Sequence, residues 1–285
     1  MTDRVHCPKE GTSDWGRAAA VAVLSFGLAA TMAAAAELQQ DTIQAFERYM
    51  KSTEEDREAR LRRAAAFLWI DRQPEARRRS LYDRLKRGDI VVERLETRDD
   101  NRPVRVPHGI IHHYVSVVFI PKATVPQTMA LMQSYTRYPE LFKFGVERSK
   151  ILRQESNDYD FQLRMFRKGN SPVFYNADFA DQYLSVDTTH GYRRSRSTRI
   201  AEMSEVGKPS EHELTVGKDR GFLWRMNSDW SCEEKDGGVY LQIELIALSR
   251  DVPSIVKWLA GSYIRSIPQE YLEQILQALR SGLAS

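Results

Sequence analysis

WSCEEKDGGVYLQIELIAL, residues 230–248, reads as two strands joined by a tight turn. Asp236-Gly237-Gly238 supplies residue types that accept the left-handed backbone of a short hairpin at little cost. After the turn, Val239, Leu241, Ile243, Leu245 and Ala247 share one face, and Tyr240, Gln242, Glu244, Ile246 and Leu248 share the other. Neither face is polar, so this strand is expected to be covered on both sides. Before the turn, alternation puts Phe222, Trp224, Met226, Ser228, Trp230 and Cys232 together, with Leu223, Arg225, Asn227, Asp229 and Ser231 opposite. The aromatic face is expected to point inward.

Working outward from this hairpin, four more strands precede it at about 145–155, 158–168, 172–186 and 190–203. Asn157-Asp158, Gly169-Asn170 and Thr188 to Gly191 supply the turns between them. Residues 205–220 form a polar loop. An earlier β-rich run, Ile110 to Ile120, ends at Pro121, and Thr124 with Gln127 then forms the capping box of a helix. Tyr138-Pro139-Glu140-Leu141-Phe142 suggests a short second helical turn. After the hairpin, a helical region around Ile255, Trp258 and Leu259 is expected to be interrupted near Gly261. Ser266 and Gln269, with Pro268 in the first turn, mark a new helix that Gly282 should stop. Ile267, Tyr271, Leu272, Ile275, Leu276 and Leu279 line one face of it.

Upstream, residues 37–87 hold no glycine and one proline, Pro74. Ile43, Phe46, Tyr49 and Met50 recur at helical spacing, as do Leu61, Ala65, Leu68 and Trp69. Ser52 with Glu55 predicts a second helix start near Thr53. Pro74 fits the first turn of a third helix and Gly88 its left-handed end. Arg60, Arg62, Arg63, Arg77, Arg78 and Arg79 lie among Glu54, Glu55, Asp56, Glu58 and Glu75, which favours a solvated face over contact of 37–87 with an anionic membrane. Residues 89–98 look like a short strand or bridge.

Strand, two short helices, six antiparallel strands and a long amphipathic C-terminal helix make a distinctive order. It resembles the helix-grip fold of the SRPBCC superfamily, which includes START lipid-transfer domains, polyketide cyclase/dehydrase-like proteins and the major birch pollen allergen. VSVVFIPKATVPQTMALMQSYTRYPELF (115–142) is similar to the first strand and helix pair of such domains, 230–248 to their last hairpin, and IPQEYLEQILQALR (267–280) to their final helix. The resemblance covers about 108–281. It implies an α+β fold: a seven-stranded antiparallel sheet wrapped around a long C-terminal helix, preceded by an N-terminal helical segment. It further implies a cavity between sheet and helix, a natural site for a hydrophobic small molecule or lipid.

Parity selects Trp224, Met226 and Trp230 as lining candidates, although tryptophans there equally fill core. Strand 190–203 puts Tyr192, Arg194, Arg196, Thr198 and Ile200 on one face and Arg193, Ser195, Ser197 and Arg199 on the other. If arginines point inward they need partners, for which Asn176, Asp178 and Glu244 are the candidates. Arg194 and Arg196 would then hold a carboxylate or phosphate head group; the other reading is a set of cross-strand ion pairs facing solvent.

No HExxH, GxSxG, glycine-rich phosphate loop or GxGxxG occurs, so no cofactor or metal is expected. His112 and His113 are adjacent in a strand and point to opposite faces, so they cannot share one ion. A cyclase or dehydratase of this fold could pair His112 or His113 with Tyr175, Asp178 or Glu244, and this enzyme is the alternative to a carrier.

Residues 18–36, AAAVAVLSFGLAATMAAAA, follow Arg17 and end in an A-x-A pattern at Ala34 and Ala36, which describes an export signal. The chain therefore divides into a signal (1–36), a helical prelude and bridge (37–107) and the helix-grip domain (108–285). A periplasmic or secreted binding or carrier protein is expected. A net charge of +3 is too small for a nucleic-acid footprint. Two cysteines, Cys7 and Cys232, make no disulfide framework, and Cys232 reads as a small buried hydrophobe.

Overall fold

A computed structural model describes residues 36–61, 67–96, 98–99, 102–168, 172–251 and 254–284. The export signal expected over 1–36 lies outside these residues except for Ala36. From Ala36 onward the chain forms one compact unit.

Its elements in chain order are β1 (Ala36–Glu37), α1 (Gln40–Leu61), a 3-10 turn (Trp69–Arg72), α2 (Glu75–Lys86), β2 (Ile90–Arg94), β3 (Arg98–Asp99) and β4 (Arg102–Pro103). Next come β5 (Gly109–Pro121), α3 (Val125–Gln133), a 3-10 turn (Tyr135–Arg137), α4 (Tyr138–Leu141), β6 (Val146–Glu155), β7 (Asp158–Arg167), β8 (Val173–Ser185) and β9 (His190–Ser204). The last are β10 (His212–Glu213), β11 (Lys218–Asp219), β12 (Arg225–Lys235), β13 (Gly238–Arg250) and α5 (Ser254–Ala284).

The main sheet is antiparallel, in the order β2-β5-β13-β12-β9-β8-β7-β6, with β10 beside β9. It therefore has nine strands, not seven. The seven expected strands are all present. The stretch read as a strand or bridge pairs with β5 from Ile90↔Val118 to Arg94↔Tyr114, and part of the polar loop adds β10. In the hairpin, Asp236 and Gly237 both have positive φ, 55° and 75°, as a tight β12–β13 turn requires.

β13 is covered on both faces, as its composition demands. Val239, Leu241, Ile243 and Leu245 join an inner core with α3, α4, α5 and the aromatic residues of β7 and β8. On the outer face, Tyr240 packs with Val117, Phe119, Leu81, Leu85 and the Phe67–Ile70 segment. Ile246 and Leu248 pack with Phe46, Tyr49 and Met50 of α1. The helical prelude is thus the outer lid of the sheet.

Four helix boundaries differ from expectation. α1 runs unbroken past Ser52; Thr53 Oγ1 turns back onto the Tyr49 carbonyl at 2.9 Å, because mid-helix amides already have partners and leave a capping box nothing to satisfy. α5 is a single helix of 31 residues containing Gly261 and Pro268, about 46 Å long at 1.5 Å per residue. Nor does it stop at Gly282. There a Cβ would come within 3.2 Å of Leu141 and 3.3 Å of Leu131, so the glycine serves close packing rather than termination. Pro74 sits at the N-cap of α2, one residue before its first turn, and Gly88 takes the left-handed φ of 97° expected after it. The Thr124–Gln127 box forms with both reciprocal bonds.

Candidate functional site

The hollow between sheet and α5 is walled by Phe142, Phe161, Leu163, Phe179, Met226, Trp230, Ile243 and Leu245, and closed by Tyr271, Leu272 and Ile275 of α5. Its polar lining is Arg193, Ser195, Ser228 and Tyr138. The free volume is about 60 Å³, room for a few waters, where small-molecule pockets usually run to ~300–1,000 Å³. The cavity that the resemblance implies is thus nearly filled by side chains.

Arg193 is the polar centre of this wall. Its Nε donates to Asp181 Oδ2 at 2.7 Å, and its guanidinium lies 4.7 Å from the Trp230 ring centre. Tyr135 donates to the same Asp181 oxygen at 2.5 Å and lies 3.0 Å, oxygen to oxygen, from Tyr183. Tyr183 and Tyr138 both donate to the Met132 carbonyl, at 2.9 and 2.5 Å. Burial alone would lower the Arg193 pKa, but Asp181 and the three phenols more than reverse that, so it stays a cation. Burial pushes Tyr138 up to about 12 and raises Tyr135 and Tyr183 well above the ordinary phenol range. These groups are hydrogen-bond donors, and none is poised to take a proton near neutrality.

Of the lining candidates, Met226 and Trp230 face this hollow. Trp224 does not. It precedes the regular part of β12, packs against α1 on the outer face and donates from Nε1 to Asp219 at 3.2 Å. Arg194, Arg196 and Glu244 also lie on the outer face. There Arg196 bonds Glu54 of α1 at 2.8 Å and pairs with Asp229 at 3.1 Å. Arg194 comes within 4.0 Å of Asp229. Arg57 of α1 bridges Asp229 at 2.9 Å and Glu244 at 3.5 Å, two carboxylates directly opposed across β12 and β13. Asn176 and Asp178 face outward too, bonded to Glu213 and Gln162, each at 2.8 Å.

The inward arginine is therefore Arg193 rather than Arg194 or Arg196. Alternation along β9 fails at one point. The β8–β9 register slips between Asp178↔Arg199 and Phe179↔Ser197, leaving Thr198 without a register partner on β8, although its Oγ1 donates to the Asp178 carbonyl at 3.2 Å. Before the slip, Arg193 and Ser195 face inward; after it, Arg199 faces outward toward Asp178 while Ile200 joins the inner core. Such a bulge re-aims side chains and leaves no mark in the residue pattern.

The histidines diverge as strand neighbours must. His113 turns outward, with Nδ1 2.8 Å from Tyr49 Oη and Nε2 3.0 Å from Glu244. His112 lies across from Ala247 on the inner side of the sheet and contacts Ser249 Oγ at 2.9 Å. Burial and, secondarily, Arg94 lower its pKa to about 4. Tyr175 is buried in the inner core, its phenol raised chiefly by that burial.

No family model and no curated protein matches the chain. Similar solved structures include a STAR-related lipid transfer protein fragment from Xanthomonas axonopodis, 16% identical with a TM-score of 0.42, covering 67% of this chain and 99% of that one. Zhui aromatase/cyclase from Streptomyces sp. R1128 is 12% identical with a TM-score of 0.42, covering 61% and 94%. Human STARD10 is 9% identical with a TM-score of 0.40, covering 77% and 83%. Likenesses this distant say nothing of what this chain binds.

Proposed function

We propose that this chain is a binding protein for a small, largely apolar molecule bearing one polar or anionic group, held between the sheet and α5. The observation that carries the reading is Arg193: a cation 4% exposed, the one charged group in a wall otherwise of apolar side chains, two serines and two tyrosines, and kept charged by Asp181. Burying such a group is costly unless it is used, and a guanidinium backed by a carboxylate is well suited to hold a carboxylate or hydroxyl head group. The small volume implies that a guest enters by displacing α5 or the α3–α4 segment, not by filling an open pocket. Carrying a lipid is the larger version of the same reading and needs a wider displacement. The run of residues 18–36 supports export, with cleavage near Ala36.

Native mass spectrometry of protein purified from the cells that make it tests the binding. An adduct of fixed mass, lost in Arg193→Met, is expected. A bare protein whose melting temperature is unmoved by a panel of apolar carboxylates and alcohols would sink it. N-terminal sequencing of the exported form tests the cleavage. The acid-base alternative has less support, because the phenols nearest the hollow are held protonated and His112 is held neutral.

A further inference from the structure

A larger hollow, about 330 Å³, lies on the opposite face of the sheet, between α1 and strands β9, β12 and β13. Ile43, Phe46 and Met50 of α1 and Leu248 of β13 make its apolar wall. Arg225 and Asn227 of β12, with Ser197 of β9, line it as well. Of the neighbouring cations, Arg196 is held by Glu54 and Asp229 and Arg57 by Asp229 and Glu244, while Lys51, exposed on α1, lines the cleft without an ion pair among the described residues. Arg225 is different. It is half-buried, its Nη1 donates to the Trp224 carbonyl at 2.8 Å, and among the described residues no carboxylate forms an ion pair with it. Glu47 acts on it only through space. Beside it, Asn227 is 8% exposed. Its Oδ1 accepts from the Ser197 amide at 3.2 Å, while its Nδ2 has no partner among the described residues.

We infer that this cleft is a second ligand site, separate from the hollow under α5, that takes a small monocarboxylate with an apolar tail. The carboxylate accepts from Arg225 and the Asn227 amide, and the tail lies along Phe46, Met50 and Leu248. A guanidinium and an amide side by side suit the two oxygens of a carboxylate. The volume is at the lower end for ligand sites, which sets the tail at medium length. Three cations of the lining, Arg225, Arg196 and Lys51, stand against two anions, Glu47 and Glu54, and this net of one positive charge matches one negative charge and disfavours a phosphate dianion.

Calorimetric titration of the full chain with octanoate, 1-octanol and inorganic phosphate tests this. Octanoate should bind saturably at a site that Arg193→Met leaves intact, and phosphate should not compete there. Arg225→Gln should weaken octanoate about tenfold or more, as loss of a charge-assisted bond does, without changing 1-octanol. Glu47→Gln, at an exposed position, should tighten octanoate about two- to threefold. Neither variant should move the melting temperature or the adduct held by Arg193, so this site and the one under α5 stand or fall separately. Absent octanoate binding, equal binding by Arg225→Gln, competition by phosphate, or loss of octanoate in Arg193→Met with Arg225 intact would each overturn the assignment.

Discussion

Arg193 of β9 and Asp181 of β8 form an ion pair in which neither partner is more than 4% exposed, with two tyrosine rings and one tryptophan ring stacked within 6 Å of the guanidinium. Taking both charges out of water costs several kcal/mol each, so the pair is weak evidence for stability and better evidence for a role.

Breaking that pair from one side should therefore cost more than removing it whole. Asp181→Asn or Arg193→Met alone is expected to lose about 3–5 kcal/mol in urea unfolding, while Asp181→Leu with Arg193→Met should recover much of it. The double variant should still lose the guest. If it is as unstable as either single change, the pair contributes to the core rather than to binding.

α1 is held to the sheet by its apolar face and by a buried charge cluster. Arg57 carries two opposed carboxylates, so Arg57→Met leaves Asp229 and Glu244 facing each other in a buried place and should cost about 3–5 kcal/mol. Hydrogen exchange should show α1 amides losing protection first, with β7 and β8 unaffected. Uniform loss across the sheet would mean that the lid and sheet are one cooperative unit.

His112 should make the fold acid-sensitive. Its folded pKa of about 4 lies below the ordinary 6.5, so its neutral form is the one that the fold accepts. The stability this contributes is complete above pH 6.5 and is lost as pH falls toward 4. At ~1.36 kcal/mol per unit the loss approaches about 3 kcal/mol. Urea midpoints measured from pH 7 to pH 4 should fall less steeply in His112→Gln. Equal slopes would assign the acid sensitivity elsewhere.

Cys232 is fully buried, and that burial pushes its thiol up to about 12. In a Cys7→Ser chain, an aromatic disulfide reagent should find almost no reactive thiol at pH 8 and one equivalent in guanidinium chloride. Rapid native labelling would show that the inner core opens at little cost.

Much of the architecture was legible because it follows from periodicity. The seven long strands, the Thr124 cap and the coverage of β13 on both faces all come from which side chains repeat at two or at three to four residues. The failures share a cause. Ser52-Glu55 and Ser266-Gln269 are cap motifs by composition, yet each lies inside a helix, where tertiary packing on the sheet or the length of the rod decides continuity. β2 was legible as a segment but not as a strand of the main sheet, since five residues carry too little pattern. The site was legible only in part. Met226 and Trp230 follow from parity within β12, whereas Arg193 could not be separated from Arg194. Trp224, one residue before the strand, obeys no alternation at all.

The bulged Thr198 gives β9 something like a reading frame. One residue lost or gained between His190 and Thr198 would exchange every side chain in that half of the strand, trading Arg193 for a neighbour and emptying or rebuilding the interior's polar centre in one event. A lineage could thus change what its cavity recognises through a single indel, with the rest of the scaffold inherited intact.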